Sequence, residues 1–280
     1  MEESARVFLV RRHAVSTAAT GDHVQAGETG EVGTEPAETD EVAVEEPLEI
    51  RIEGLAVAIT MRTPGTDLDL AAGFLVTEGV IDGWDDVRAL ATVAENVVDV
   101  RLSEGVPAAR ARSADRALFS NSSCGICGKA SLDRLILHAS PVAGWTPRPE
   151  ILATLPDALR SCQSLFAKTG GTHAAALFDA AGCLFGARED VGRHNAVDKT
   201  IGARLRGDRV FDGLGLVTTS RAGFEIVHKS IVAGLGCVVS VGAPTSLAIE
   251  AANRAGLTLI CWHQGHRWAE YSVAARSGAA

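Results

Sequence analysis

The strongest constraint on the fold lies in residues 173–262, where short apolar runs alternate with amphipathic stretches of about three helical turns. Runs at 173–178 and 183–187 flank Asp179-Ala180-Ala181-Gly182, which predicts a hairpin. There follow a predicted helix over 191–205, a strand over 214–218, a helix over 224–233, an all-apolar strand over 237–241, a helix over 245–255 and a strand over 257–262. Strands alternating with helices imply right-handed crossovers, so an α/β unit with a mostly parallel sheet covered on both faces is expected. Ligands on such sheets sit beyond the carboxyl ends of the strands. That rule nominates the turns at 188–195, 218–221 and 242–246.

Upstream the pattern differs. Residues 6–10 read as a strand, whereas 13–41 is rich in Gly, Thr, Ala and Glu without an apolar period and is expected to be disordered. Runs at 48–52 and 56–61 around Glu53-Gly54 predict a hairpin. Residues 67–78 predict a helix with Thr66 or Asp67 as N-cap and Gly79 as its stop, and strands are expected at 87–93 and 96–102. The chain thus divides into a strand with an acidic disordered segment (1–41), a smaller α+β N-terminal domain (42–117), a mobile cysteine loop (118–128) and the α/β domain (129–280). Within the last, helices are expected at 129–138 and 151–168.

Composition narrows the function. With 46% hydrophobic residues and a mean hydropathy of +0.14 the chain can bury a substantial core. No apolar run approaches the roughly 18 residues of a membrane span, and the first 15 residues lack a signal-peptide pattern, so a cytoplasmic protein is expected. Of the charged residues, 11 acids and three bases lie in 1–46, leaving 24 acids and 23 bases in 47–280. A nearly neutral folded part argues against a nucleic-acid surface. Six cysteines without a signal peptide do not suggest a secreted disulfide framework, and Cys162, Cys183, Cys237 and Cys261 are expected to be buried in apolar segments.

The other two cysteines stand in Ser120-Asn121-Ser122-Ser123-Cys124-Gly125-Ile126-Cys127-Gly128-Lys129, a run with little to pack into a core. Four readings fit the pair: a zinc site completed by His173 or His194, a thioredoxin-like redox pair, inert thiols, or a sulfur carrier. The carrier reading has a chemical basis. A helix start after Cys127, with Lys129 nearby, would lower a thiol pKa, the thiolate is the sulfur nucleophile, and persulfidation is reversible. Flanking glycines would give reach.

Arg188-Glu189-Asp190-Val191-Gly192-Arg193-His194-Asn195 forms a second constellation. Asp190 suits an N-cap, Gly192 lets a ligand near the backbone, and Arg193 with free first-turn amides offers an anion site; a salt-bridged first turn is the alternative. Thr218-Thr219-Ser220-Arg221 and Pro244-Thr245-Ser246 repeat the theme as hydroxyl-bearing turns, pointing to a ligand with several phosphates or else to ordinary caps. His173, after Gly170-Gly171-Thr172, reads first as a structural histidine, and Arg62 in Arg62-Thr63-Pro64-Gly65 reads first as part of a turn. The aromatic-rich end around Trp262 and Trp268 could stack on a flat ring, or serve as an interface or lid.

Together these segments resemble the FdhD family, the formate dehydrogenase accessory sulfurtransferases. The resemblance runs through Glu46-Pro47-Leu48-Glu49-Ile50-Arg51, Thr60-Met61-Arg62-Thr63-Pro64-Gly65, Gly73-Phe74-Leu75, the cysteine pair, Gly170-Gly171-Thr172-His173, the segment 189–199, Phe224-Glu225 and Ala243-Pro244-Thr245-Ser246. It implies a cytidine-deaminase-like main domain, a homodimer, and sulfur passed from a cysteine desulfurase through Cys124 and Cys127 to the bis-guanylate molybdenum cofactor (bis-molybdopterin guanine dinucleotide) of formate dehydrogenase. Arg62, His173, Asp190, Gly192, Arg193, His194, Asn195, Thr219, Arg221, Phe224, Thr245 and Ser246 would then hold the cofactor, with a guanine nucleotide as surrogate, and no metal site of the protein's own is implied. The chain departs from the family pattern at Ser220, Gly223, Gln264 and Ala269, which bears on the nucleotide contacts. A zinc deaminase is not expected, since His173-Ala174-Ala175 lacks the glutamate of His-x-Glu and no proline precedes Cys124.

Overall fold

The computed structural model describes residues 4–10, 13–15, 32–34, 36–106, 141–207, 210–263 and 267–272. Cys124, Cys127, the loop 118–128 and the helix expected over 129–138 lie outside the described residues.

Two sheets organise the molecule. The first is four-stranded, built from β5 (Glu46–Ile52), β6 (Leu55–Arg62), β7 (Val87–Ala94) and β8 (Val97–Leu102) in the order β6-β5-β8-β7. The predicted hairpin β5–β6 forms, and β8 joins β5 in parallel. Leu48, Ile50 and Ile52 alternate inward, as period-two strands with one buried face must. Helix α1 (Asp67–Thr77) follows; Thr66 precedes it at φ 48° without a side-chain cap, and Gly79 at φ 70° stops it.

The second sheet is six-stranded, in the order β10-β9-β11-β12-β13-β14, with β9 (His173–Phe178), β10 (Leu184–Asp190), β11 (Gly215–Thr218), β12 (Cys237–Ser240), β13 (Thr258–His263) and β14 (Arg267–Ser272). Helices α4 (Arg193–Arg206), α5 (Phe224–Val232) and α6 (Ser246–Ala255) intervene in sequence. Only β11–β12 and β12–β13 pair in parallel; β9–β10, β9–β11 and β13–β14 are antiparallel. The sheet is therefore mixed, a correction to the mostly parallel expectation. A hairpin adds antiparallel strands at one edge of the parallel core, and β14 folds back along the other.

Alternation along the strands separates two apolar layers. Ala175, Leu177, Leu216, Val238 and Leu259 face α4, α5 and α6, while Ala174, Ala176, Phe178, Val217, Val239 and Ile260 face α2 (Pro149–Ser161). The first layer does not stop at the sheet. It continues through α1 to Leu48, Ile50, Val98 and Val100, so one buried cluster joins both sheets. The boundary expected between 42–117 and 129–280 lies in a stretch outside the described residues, and the core crosses it.

Three further expectations change. The helix predicted over 151–168 is two, α2 and α3 (Ser164–Thr169), because the Glu189 carboxylate of β10 accepts from the Leu165 and Phe166 amides at 2.8 and 2.7 Å and starts a new helix there. Within the segment expected to be disordered, β4 (Glu38–Ala43) pairs antiparallel with β1 (Ala5–Val10), and β2 (His13–Val15) pairs with β3 (Val32–Thr34). An exposed two-stranded ribbon needs backbone partners more than apolar periodicity, so its charged residues hid it. Of the four cysteines expected to be buried, Cys237 and Cys261 are, whereas Cys162 and Cys183 are exposed because they fall just past α2 and in the β9–β10 turn.

Candidate functional site

The end of the six-stranded sheet where β11 and β12 finish also carries the starts of α4, α5 and α6, the start of β9 and the end of β10. All three turns nominated from sequence therefore meet at one edge. Two of them are locked together. Gly242 N donates to Ser220 O at 3.1 Å, Thr245 N donates to Ala222 O at 3.1 Å, and the Ser240 hydroxyl donates to Ser220 O at 2.5 Å. A side chain on Gly242 would stand 2.8 Å from Arg221 Cα, so glycine is needed for this approach. The hydroxyls serve the backbone as well: Thr245 accepts from Ala248 N at 3.4 Å as the N-cap of α6, and Thr219 accepts from Ala174 N at 2.9 Å. Ser246 remains exposed.

Four residues expected to hold a cofactor make close contacts within the protein. Arg62 is 0% exposed; its Nε and Nη2 reach the Asp67 carboxylate at 2.9 and 2.7 Å, and Nη2 also meets Asn96 Oδ1 at 2.6 Å. Asp190 is buried with Lys199 Nζ at 2.7 Å and accepts from the Thr63 and Gly192 amides at 3.1 and 2.7 Å. Asn195 donates to Met61 O at 2.7 Å and accepts from Thr60 Oγ1 at 3.1 Å. Gly192, not Asp190, is the N-cap of α4, and a Cβ there would press on the Asn195 carboxamide at 2.9 Å. Burial with saturated partners makes this a clamp that pins the turn after β6 to the start of α4. Polar residues at a turn read alike from sequence whether they grip a ligand or a backbone.

What the clamp presents is cationic. Arg193, the first residue of α4, is partly exposed, and neither it nor the exposed Arg221 makes a side-chain hydrogen bond or ion pair among the described residues. His194 Nε2 meets Glu225 Oε2 at 2.6 Å across the starts of α4 and α5, and this hydrogen bond holds the Glu225 carboxyl below the ordinary glutamate range. Phe224 stacks on His228 with ring centroids 5.5 Å apart. One turn deeper a second rung joins the same helices. Lys229 Nζ contacts Asp198 at 3.0 Å, Glu78 at 2.9 Å and Thr77 Oγ1 at 2.9 Å. Burial raises the Asp198 carboxyl; burial also pushes on Glu78, but the Lys229 ammonium outweighs it and holds that carboxyl low.

Beside this edge lies a cavity of about 520 Å³, lined in part by Arg160, Gln163, Phe166, Thr172, His173 and Thr219. His173 Nδ1 is 3.5 Å from Thr219 Oγ1. Burial above all, then the charges of Arg193 and His194, push the His173 imidazole below its ordinary value, so at neutral pH it is uncharged. Of the expected site residues, the structure thus brings His173, Arg193, His194, Thr219, Arg221 and Phe224 to one edge and makes Arg62, Asp190, Gly192 and Asn195 their support. Sequence reasoning missed Arg160 and Gln163, which at helix spacing look like a solvent face, and missed Glu225 as a site residue although Phe224-Glu225 is among the resembling segments. Trp262 and Trp268 are cross-strand partners on β13 and β14, with rings 5.7 Å apart against the second apolar layer.

Comparisons with known proteins agree on one family. The sequence profile of the FdhD/NarQ family matches residues 43–277. Proteins named sulfur carrier protein FdhD from Streptomyces avermitilis and Streptomyces coelicolor are 45% and 46% identical to this chain, covering 90% and 88% of it and 94% and 91% of their own lengths. The Mycobacterium tuberculosis protein of the same name is 41% identical over 84% of this chain and 91% of its own. A crystal structure described as that of a formate dehydrogenase accessory protein from Desulfotalea psychrophila shares the fold, with a TM-score of 0.71 over 95% of this chain and 97% of that one, at 21% identity. The profile spans both sheets and the clamp that joins them, and on that match the chain belongs to the FdhD/NarQ family.

Proposed function

We propose that this protein is a sulfurtransferase of formate dehydrogenase maturation, which takes sulfur from a cysteine desulfurase onto the Cys124/Cys127 loop and passes it to a bis-guanylate molybdenum cofactor. The observation that carries the reading is the pairing of near full-length similarity to proteins named as sulfur carriers with a sheet edge where three helices begin and where two arginines make no side-chain hydrogen bond or ion pair among the described residues. Helix starts and unpaired guanidinium groups suit phosphate, which a guanylate-bearing acceptor would bring. Arg193 and Arg221 would meet the phosphates, and the locked turns would keep that edge rigid.

The sulfur chemistry balances on the thiols alone. A Cys124 thiolate attacks the outer sulfur of the donor's persulfide, and the donor's cysteine leaves as thiolate, with no change in overall oxidation level. Delivery as sulfide needs two electrons. A Cys127 thiolate attacking the inner sulfur of the Cys124 persulfide supplies them, leaving a Cys124–Cys127 disulfide that a cellular dithiol would reduce. The same reading expects a homodimer in the cytoplasm and a cytidine-deaminase-like ancestry for the six-stranded unit. Among the described residues no helix is long and apolar enough to cross a membrane.

Incubation with a cysteine desulfurase and cysteine should add one sulfur atom to the peptide bearing Cys124 and Cys127, read by mass spectrometry without reductant. A folded protein that gains none would overturn the carrier role. Restoration of formate dehydrogenase by the Cys124→Ala, Cys127→Ala double variant would instead mark a cofactor escort without sulfur transfer.

A further inference from the structure

Gln163 stands at the junction of α2 and α3, only 3% exposed, and it lines the cavity of about 520 Å³. Its backbone is satisfied: N donates to Arg160 O at 3.1 Å, and O accepts from Ala167 N at 3.0 Å. Its carboxamide has no hydrogen-bond partner among the described residues, yet those atoms are not sealed away, so the opening they have is the cavity itself. An amide that is largely buried yet open only toward a cavity is positioned to pair with whatever enters it, water or ligand.

The surroundings specify that partner. The Arg160 guanidinium lies 4.0 Å from the centroid of the Phe166 ring, giving two flat groups in the wall. Phe166 is held in place by Glu189, which accepts from its amide and, at 2.9 Å, from Thr172 Oγ1. His173 is uncharged at neutral pH, because burial first, and then Arg193 and His194, oppose its protonation. The wall thus offers flat groups, a neutral imidazole and an amide that has no partner among the described residues, while the charge of Arg193 stands two residues past the cavity-lining Val191. A neutral heterocycle suits the cavity, with its phosphates directed toward α4.

We propose that Gln163 is the specificity residue that reads the base of a bound nucleotide, its adjacent donor and acceptor pairing with the edge of a purine beside Arg160 and Phe166. An amide presents one N–H and one carbonyl side by side, which matches a ring edge carrying the complementary pair, such as O6 with N1–H of guanine. Stacking on flat groups supplies affinity for any base, so the amide is where discrimination arises. This deepens the nucleotide reading above and rests on it.

Calorimetric titration of the full chain with GDP and with pyrophosphate separates the two ideas. Gln163→Met and Gln163→Ala should weaken GDP binding by about tenfold or more, the effect of one bidentate base contact, and leave pyrophosphate binding unchanged. An unchanged ratio of GDP to pyrophosphate affinity in folded variants overturns the role of Gln163 and leaves phosphate binding at the edge standing. A wild-type protein that binds neither probe overturns the nucleotide reading itself and this assignment with it. Should both variants fail to fold, the wild-type protein still decides: the Gln163 side-chain amide resonances should shift with GDP and stay with pyrophosphate, and no shift at saturating GDP overturns the proposal.

Discussion

At the scale of single residues, the site is a set of uncommitted groups standing on committed ones. Arg193 and Arg62 are both arginines in turns that the family resemblance marked for ligand, and the fold separates them: one makes no side-chain hydrogen bond or ion pair among the described residues, while the other is buried against Asp67. His173 reports on the difference. Its imidazole titrates below its ordinary value near 6.5 chiefly through burial and next through Arg193. Removing that charge in Arg193→Ala should raise the His173 pKa part of the way back, as NMR titration of the ring protons would show, while Arg62→Ala should leave it in place and lower the melting temperature. The unfolded chain protonates this histidine first, so stability falls as pH drops below about 6.5 and the loss ends once the folded form is protonated as well. His173→Gln should flatten that limb of a stability-versus-pH curve.

Among elements, the crossing of α1 and α4 sets the site. Ten of the 11 residues of α1 are buried, which is what a helix apolar on most sides requires. The two helices meet backbone to backbone at Gly73 and Gly202, where an added Cβ would lie 1.8 Å from Asp198 O and from Asp69 O respectively. Gly73→Ala or Gly202→Ala must push the helices apart and should cost about 1–3 kcal/mol or more, measured by urea unfolding. Asp69 ties the same crossing by its pairs with Arg188 and Arg206. Lys229→Met leaves Asp198 and Glu78 without their buried cation, and a loss of about 3–5 kcal/mol is expected. A smaller loss would mean that water enters to solvate both carboxylates.

The elements themselves were largely legible. Strand and helix positions from 173 to 262 follow from apolar period and turn residues, and the three nominated turns do converge. Strand partners were not legible, because the 173–190 hairpin looks the same whether it forms its own sheet or extends another, and β14 is too polar to signal a strand. The Glu189 cap that splits α2 from α3 comes from about two dozen residues downstream, beyond any local pattern.

For the whole molecule, the continuous core decides how the chain unfolds. If the four-stranded sheet with α1 were an independent domain, its inner face would end in its own cluster; instead Leu70 and Leu75 share one cluster with Val197 and Ile201 of α4 and with Leu216 of β11. Full burial of each such leucine or isoleucine contributes about 1.5–3 kcal/mol, so parting the sheets would expose more apolar surface than either could stand to lose. One cooperative transition is therefore expected in urea. The chain offers two probes placed to test it: Trp84 packs against the shared cluster at the four-stranded sheet, and Trp145, Trp262 and Trp268 pack on the far side of the six-stranded one. Fluorescence of variants that keep only Trp84, or only the other three, should give coincident midpoints that also match far-UV circular dichroism. An earlier midpoint for Trp84 would show that the two sheets unfold separately. The Asp190–Lys199 clamp ties the turn after β6 to α4, so loosening the four-stranded sheet would release Arg193 from its place, and the proposed GDP binding should be lost along the same urea curve as the fold.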